Sequence, residues 1–284
     1  MEIEMKAIRK LMDEPAELTP QERLAASLER APELRAAGDV DAAINELEQA
    51  LTQARQTPYE IKFQTRVRLA TMLTGAYLAA GRIERARAML AEETVYAENI
   101  YGLIQATGSV AEKRMANADR AQIRDLAIQL NLIGQTAPEI AITQWIGGEK
   151  TSLAELRGQV VLLEFWATWC KPCHEMFPKL RELHEAHAAR GLRVLALTRH
   201  YLAYGGGENS RAEELELIRQ FVSERDVPFP VGVSEDEQLQ TVYGATGLPA
   251  LALIDRRGIV RYRFGSGGDA LFQQLLKECL DERA

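Results

Sequence analysis

The chain has 284 residues, 46% of them hydrophobic and 26% charged, an ordinary globular composition that excludes disordered and fibrous classes. Its 34 basic and 41 acidic residues leave a net charge of −7, which disfavours broad attraction to nucleic acid or to an anionic membrane. The longest apolar stretch near the middle, residues 160–167, contains Glu164 and falls far short of the ~20 residues that span a bilayer, so no membrane span is expected.

The length is a soft prior for two domains. The first residues, Met1-Glu2-Ile3-Glu4-Met5-Lys6, lack a basic segment followed by an apolar one, so the chain as written carries no secretory signal. From Pro20 to about Leu132 the sequence is rich in Ala, Leu, Glu, Arg and Gln without β-branched runs, which predicts helix after helix. Two stretches there look alike. Ala36-Ala37-Gly38-Asp39-Val40-Asp41-Ala42-Ala43 leads to Leu47, and Ala79-Ala80-Gly81-Arg82-Ile83-Glu84-Arg85-Ala86 leads to Leu90. Each sets a glycine turn between two helices and a small residue where the second helix must approach the first. With Leu73 and Tyr77 before the second turn, the pattern resembles the tetratricopeptide helix-turn-helix, although the glycines are spaced more widely than the ~34 residues of a regular repeat. The resemblance implies a degenerate helical-hairpin domain over residues 1–134 that serves docking or self-association. An irregular helical bundle, which would only pack, is the alternative.

Near Gly134 the helical periodicity stops, and Ala137-Pro138-Glu139-Ile140 and Gly147-Gly148 punctuate short β-like segments, which marks a domain boundary. Residues 135–284 then alternate. Strands are predicted at 160–167, 192–198, 229–233, 250–254 and 259–264, and helices at 173–190, 211–225 and 235–243, with a closing helix to about Cys279. Asp255-Arg256-Arg257-Gly258 reads as a hairpin turn. This order predicts an α/β domain with a mixed sheet covered on both faces.

Three cysteines exclude a disulfide-built scaffold, and two of them, Cys170 and Cys173, form one C-x-x-C. The pair lies where a strand ends and an amphipathic helix begins. Unpaired N–H groups and the positive helix end stabilise a thiolate there, and Lys171 adds a charge, so Cys170 reads as the attacking thiolate. Cys173 is one turn further and more buried, placed to resolve a mixed disulfide. Cys279 reads as an inert core residue. Glu164 interrupts an apolar strand and must be buried or lie at a layer edge, while Trp169 borders the exposed site and Trp166 packs in the core.

Glu164-Phe165-Trp166-Ala167-Thr168-Trp169-Cys170-Lys171-Pro172-Cys173 resembles the active-site strand and turn of the thioredoxin superfamily. Pro178 falls where that family kinks its active-site helix, and Gly247-Leu248-Pro249 falls where it carries a cis-proline loop. Ala137-Pro138 and Ser152-Leu153-Ala154-Glu155-Leu156-Arg157-Gly158 narrow the resemblance to the TlpA and ResA branch of thiol-disulfide oxidoreductases, over residues 135–284. It implies a thioredoxin-like fold and a redox-active Cys170–Cys173 disulfide with no other cofactor and no metal. It further implies a proton-shuttling Glu164 behind Cys173, and a substrate surface made by Trp169, Lys171, Pro172, Leu248 and a cis Pro249. Protein thiol or disulfide substrates and an upstream thiol reductase as electron donor are the implied partners. That branch works in the bacterial cell envelope, whereas the N-terminus as written points to the cytoplasm.

Other readings compete for the same residues. Cys170-Lys171-Pro172-Cys173-His174 also satisfies the c-type haem motif, but haem attachment is usual in a small helical domain, not after a buried strand. A zinc site lacks a second ligand pair. His184 and His187 are three apart but flanked by Glu182, Glu185 and Arg181, which reads as a solvated face. The glycine loop at 201–208 lacks the lysine of a phosphate loop and reads as a mobile loop beside the site. A thiol peroxidase and a non-catalytic adaptor are the remaining alternatives in function.

Overall fold

A computed structural model describes residues 18–57, 60–201, 208–263 and 270–282. The readings made on the N-terminal residues and on the glycine run at 202–207 lie outside the described residues. Contacts group the chain into two compact units. One takes in the residues up to Met89 together with Asn99–Asp119, and the other takes in Leu90–Glu98 and Arg120–Ala284.

The first unit is helical, as its sequence predicts. Helix α1 (Pro20–Ala36) starts on a capping box, with the Thr19 side chain accepting from Glu22 N–H and the Glu22 carboxylate reaching back to Thr19 N–H. Helix α2 (Val40–Gln56) is capped by Asp39, which accepts from Ala42 N–H at 2.9 Å. Helix α3 (Phe63–Ala79) follows, and α4 (Ile83–Thr107) and α5 (Val110–Leu132) are long enough to contribute to both units. Gly38 and Gly81 turn the chain at φ +85° and +68° between α1 and α2 and between α3 and α4. Ala43 and Ala86, the small residues after each turn, are fully buried. Tyr77 is buried, and its hydroxyl donates to the Glu48 carboxylate at 2.5 Å.

The second unit is built on one six-stranded sheet, ordered β1-β4-β3-β2-β5-β6. Its strands are β1 (Gln144–Ile146), β2 (Val160–Phe165), β3 (Leu192–Arg199), β4 (Val231–Ser234), β5 (Ala250–Ile254) and β6 (Val260–Arg263). Strands β2, β3 and β4 run parallel, whereas β1, β5 and β6 pair antiparallel with their neighbours. Helix α6 (Lys171–His187), followed by a 3-10 turn at Ala188–Arg190, joins β2 to β3, and α9 (Ala270–Asp281) follows β6. A β-α-β unit thus lies beside a β-β-α unit with β2 next to β5, the thioredoxin-like arrangement. Helices α7 (Glu208–Glu224) and α8 (Gln238–Val242) flank β4 in sequence.

Alternation along the strands feeds two cores. Even-numbered positions of β2 face a cluster with Cys173, Phe177, Phe221 and Phe272, and odd-numbered ones face a cluster with Leu156, Leu239 and Tyr243. At the end of the sheet remote from the C-x-x-C, Arg256 donates to the carbonyls of Gly158, Arg190, Leu280 and Glu282 and ties α9 in place. No described helix is long and apolar enough to cross a membrane.

The compact units do not meet at residue 134. Helical periodicity stops after Leu132, but the stretch from Arg120 already belongs with the sheet, and Leu132 packs against the second core cluster. The close approach is clearest at Gly244, which has φ +57° and whose missing Cβ would stand 2.5 Å from the Asp125 carbonyl oxygen. Gly81 has a positive φ but open space around it. Gly81→Ala should therefore cost about 1 kcal/mol, while Gly244→Ala should exceed about 3 kcal/mol because backbone must move; chemical denaturation measures both.

Candidate active site

Strand β2 is fully buried and ends one residue before Trp166, so the segment 166–169 carries the chain from the sheet's interior to its edge. Helix α6 begins there. Cys170 is its N-cap residue, with extended φ/ψ, and its Sγ accepts from Cys173 N–H at 3.3 Å. The two sulfurs are bonded to each other, with their Cα atoms 5.3 Å apart. Lys171 and Pro172 follow as exposed first-turn residues, where a proline's missing N–H leaves no bond unmade. Pro178 lies within α6 and removes the N–H that would bond the His174 carbonyl.

Glu164 lies on β2 between Ala196 of β3 and Leu251 of β5. By alternation its side chain shares the face of Leu162 and Trp166, the face covered by Cys170, Cys173 and Phe177. It is completely buried, and neither carboxyl oxygen has a hydrogen-bond partner among the described residues. Burial without a compensating partner pushes its carboxyl well above the ordinary range, because the charged form has lost its water. The carboxyl therefore resists ionisation on the face of β2 that the two cysteines cover.

The Leu248–Pro249 peptide is cis. Phe165 is in register with Ala250, so Pro249 lies opposite Trp166, beside the segment that delivers Cys170. Leu248 is half-buried against the cluster that contains both cysteines. Trp169 is 59% exposed and meets Tyr201 edge-on at 5.3 Å, while the Arg199 guanidinium lies over the Tyr201 ring at 4.2 Å. Trp166 is buried against Phe177 and Phe221.

Sequence reasoning missed Arg199 and Tyr201, for which no motif exists, and it missed the anchoring of the proline loop. Asp125, on α5, accepts from Thr246 N–H at 2.9 Å, from the Thr246 hydroxyl and from Gly247 N–H at 3.3 Å. Its partners lie more than a hundred residues further along the chain, beyond the reach of any local pattern.

The haem reading has no support in this geometry. The cysteines pair with each other, and His174 Nε2 lies 2.8 Å from the Thr168 carbonyl while its ring packs on Phe221. His184 is less solvated than its neighbours suggest: it is half-buried against Phe229, and burial lowers its imidazole pKa. Cys279 is buried, and its thiol is pushed up to about 11, chiefly by burial. Among the described residues no group of three or more His, Cys, Asp or Glu could hold a metal ion.

Comparison with known proteins fits this picture. The profile of the AhpC/TSA family matches residues 133–263, and a tetratricopeptide-repeat profile matches residues 34–92. The thiol-disulfide oxidoreductase ResA of Bacillus thuringiensis is 33% identical over 129 residues, which cover 45% of this chain and 66% of that protein. The thioredoxin-like protein YneN of Bacillus subtilis is 30% identical over 128 residues, 45% of this chain and 68% of that protein. The chain belongs to the ResA-type family of thioredoxin-like proteins. It spans 66% of the length of the first of these relatives. A solved thiol-disulfide isomerase from Corynebacterium glutamicum aligns at TM-score 0.44 and 24% identity, over 52% of this chain and 97% of that one.

The state of Glu164 in this ResA-type chain has a measurable signature. Its folded carboxyl keeps a proton above the ordinary value of 4.5, where the unfolded chain has lost it. The folded state then binds more protons, so stability falls as pH rises from 4.5 toward the folded pKa. Glu164→Gln carries no such proton. Its stability relative to the parent should rise across that window by up to about 1.4 kcal/mol per pH unit, measured by denaturing both oxidised proteins between about pH 4 and 8. Parallel pH profiles would exclude an unpaired buried carboxyl.

Proposed function

We propose that the protein is a thiol-disulfide oxidoreductase that exchanges the Cys170–Cys173 dithiol and disulfide with protein substrates. The observation that carries this reading is the position of Cys170 as N-cap of a 17-residue helix, bonded to a cysteine one turn inside it. The N-cap position favours a thiolate on Cys170, because the Cys173 N–H and the positive end of the helix dipole point at its sulfur. Cys173, fully buried, is placed to hold a proton when reduced.

In the reducing direction, the Cys170 thiolate attacks one sulfur of a substrate disulfide, forms a mixed disulfide and expels the first substrate thiolate. Cys173 gives its proton to the Glu164 carboxylate and attacks Cys170 Sγ. The second substrate thiolate leaves, and two electrons have passed from the dithiol to the substrate. Regeneration runs the same steps backward: a donor thiolate attacks Cys170, and protonated Glu164 supplies the proton that the departing Cys173 sulfur needs. The cysteine pair is the redox centre, and this scheme uses no other cofactor and no metal. An upstream thiol reductase supplies the electrons. The helical hairpins serve as a docking or self-association surface, in keeping with the tetratricopeptide match over residues 34–92.

Cys170→Ser should reduce insulin disulfides at the background rate. Cys173→Ser should instead form long-lived mixed disulfides with oxidised clients, recoverable by mass spectrometry. Absence of both insulin reduction and adducts would favour the adaptor reading, and rapid sulfenate formation on Cys170 with peroxide, independent of Cys173, would favour the peroxidase.

A separate test isolates the proton. Glu164→Gln should slow resolution of the mixed disulfide by roughly tenfold or more and flatten its pH dependence, with the first attack by Cys170 little changed. Stopped-flow kinetics of the two steps check this.

A further inference from the structure

The loop that carries Leu248 and Pro249 is held by residues outside the segment that the AhpC/TSA profile covers. Asp125 and Gln129 lie one turn apart on α5, before residue 133 where that match begins. Asp125 is 5% exposed. Its Oδ2 accepts from Thr246 N–H at 2.9 Å, from Gly247 N–H at 3.3 Å and from the Thr246 hydroxyl, while Oδ1 takes the Arg124 guanidinium at 3.3 Å. Gln129 Nε2 donates to the Gly244 carbonyl, and Gly244 leaves no room for a side chain against the Asp125 backbone. The two helix residues thus grip both ends of the 244–247 loop, immediately before the cis Leu248–Pro249 peptide.

We infer that Asp125 is a positioning residue for protein substrates, one that fixes the backbone of Thr246 and Gly247 so that the Leu248 peptide group faces Cys170 in a single conformation. The inference rests on the oxidoreductase reading, in which an incoming chain meets that peptide group. Thr246 and Gly247 are exposed, so without Asp125 their N–H groups would turn to water and the loop would sample other conformations. Hydrogen bonds to an ionised acceptor are roughly twice as strong as neutral ones, and three of them converge here on one oxygen. An ordered backbone spares an incoming peptide the entropy of ordering it, which matters for a chain that docks along the loop and little for a small disulfide that touches only the sulfurs.

The test uses the full chain with Asp125→Ala, Asp125→Asn and Thr246→Val, assayed on insulin and on a small aromatic disulfide. Asp125→Ala should lose about tenfold in kcat/KM on insulin, mostly through KM, and less than about threefold on the small disulfide. Asp125→Asn keeps an acceptor oxygen and should recover part of the loss. Thr246→Val removes one donor from an exposed residue, so it folds even if the Asp125 variants do not, and it should show a smaller loss of the same kind. Amide hydrogen exchange at Thr246 and Gly247 should quicken in the Asp125 variants. Equal losses on both substrates, or unchanged insulin kinetics together with unchanged exchange, would overturn the inference. A parent protein that reduces neither substrate would overturn the oxidoreductase reading instead, and hydrogen exchange would still decide whether Asp125 orders the loop.

Discussion

Cys170 must follow within five residues of a buried strand and cap a helix at the same time, and the remainder of the second unit is arranged around that constraint. Strand β2 is an interior strand that feeds both cores, hydrogen-bonded to β3 on one side and β5 on the other. Its depth fixes where residues 166–169 emerge. Helix α6 can begin only where the chain turns out of the sheet, and its first turn then presents the Cys173 N–H to one sulfur and takes the other inside. The chemistry follows from this asymmetry between the two sulfurs: one at a helix end, one in the core.

The partners of this corner come from distant parts of the chain. Strand β5 enters beside β2 in antiparallel register, which brings Pro249 next to the turn without any sequence proximity to the cysteines. Arg199 and Tyr201 arrive from the end of β3, where Tyr201 N–H donates to the buried Glu214 carboxylate at 2.8 Å. Glu164 sits on the cysteine-facing side of β2, and its cost in stability is the clearest sign that the position answers to something other than packing. A leucine there would join the surrounding apolar cluster at no desolvation penalty.

Much of this was legible from the sequence, for identifiable reasons. The apolar run at 160–167 read as a buried strand, and Cys170-Lys171-Pro172-Cys173 followed by amphipathic spacing read as the opening of a helix; the strand ends two residues earlier than read, and the helix runs over 171–187 instead of 173–190. Gly38 and Gly81 were readable because a left-handed turn leaves few choices of residue. What escaped was long-range. Helix α5 has one unbroken periodicity, so nothing local could reveal that its residues from Arg120 onward group with the sheet. The stretch punctuated by Ala137-Pro138-Glu139-Ile140 and Gly147-Gly148 read as short β-like segments, of which Gln144–Ile146 forms β1 against β4 while Thr136 makes an isolated bridge to Ile259. The aromatic setting of Trp169 depended on the sheet, which brings the end of β3 alongside the turn.

In electrochemical terms, the isolation of Glu164 limits how much negative charge this corner can carry. Neither oxygen of the buried Glu164 carboxyl has a hydrogen-bond partner among the described residues, and Cys173 is fully buried, so the face behind the disulfide cannot carry a carboxylate and a thiolate together. Only Cys170, at the helix end, can leave its proton in solvent. Under the proposed chemistry, reduction takes up two electrons while Glu164 supplies the proton of Cys173, so wherever the carboxylate left behind regains a proton from solvent the reduction potential drifts with pH at about 30 mV per unit. Where Glu164 begins to ionise in one redox state but not the other, that slope would change, and the carboxyl would set the pH at which the protein's driving force for exchange bends.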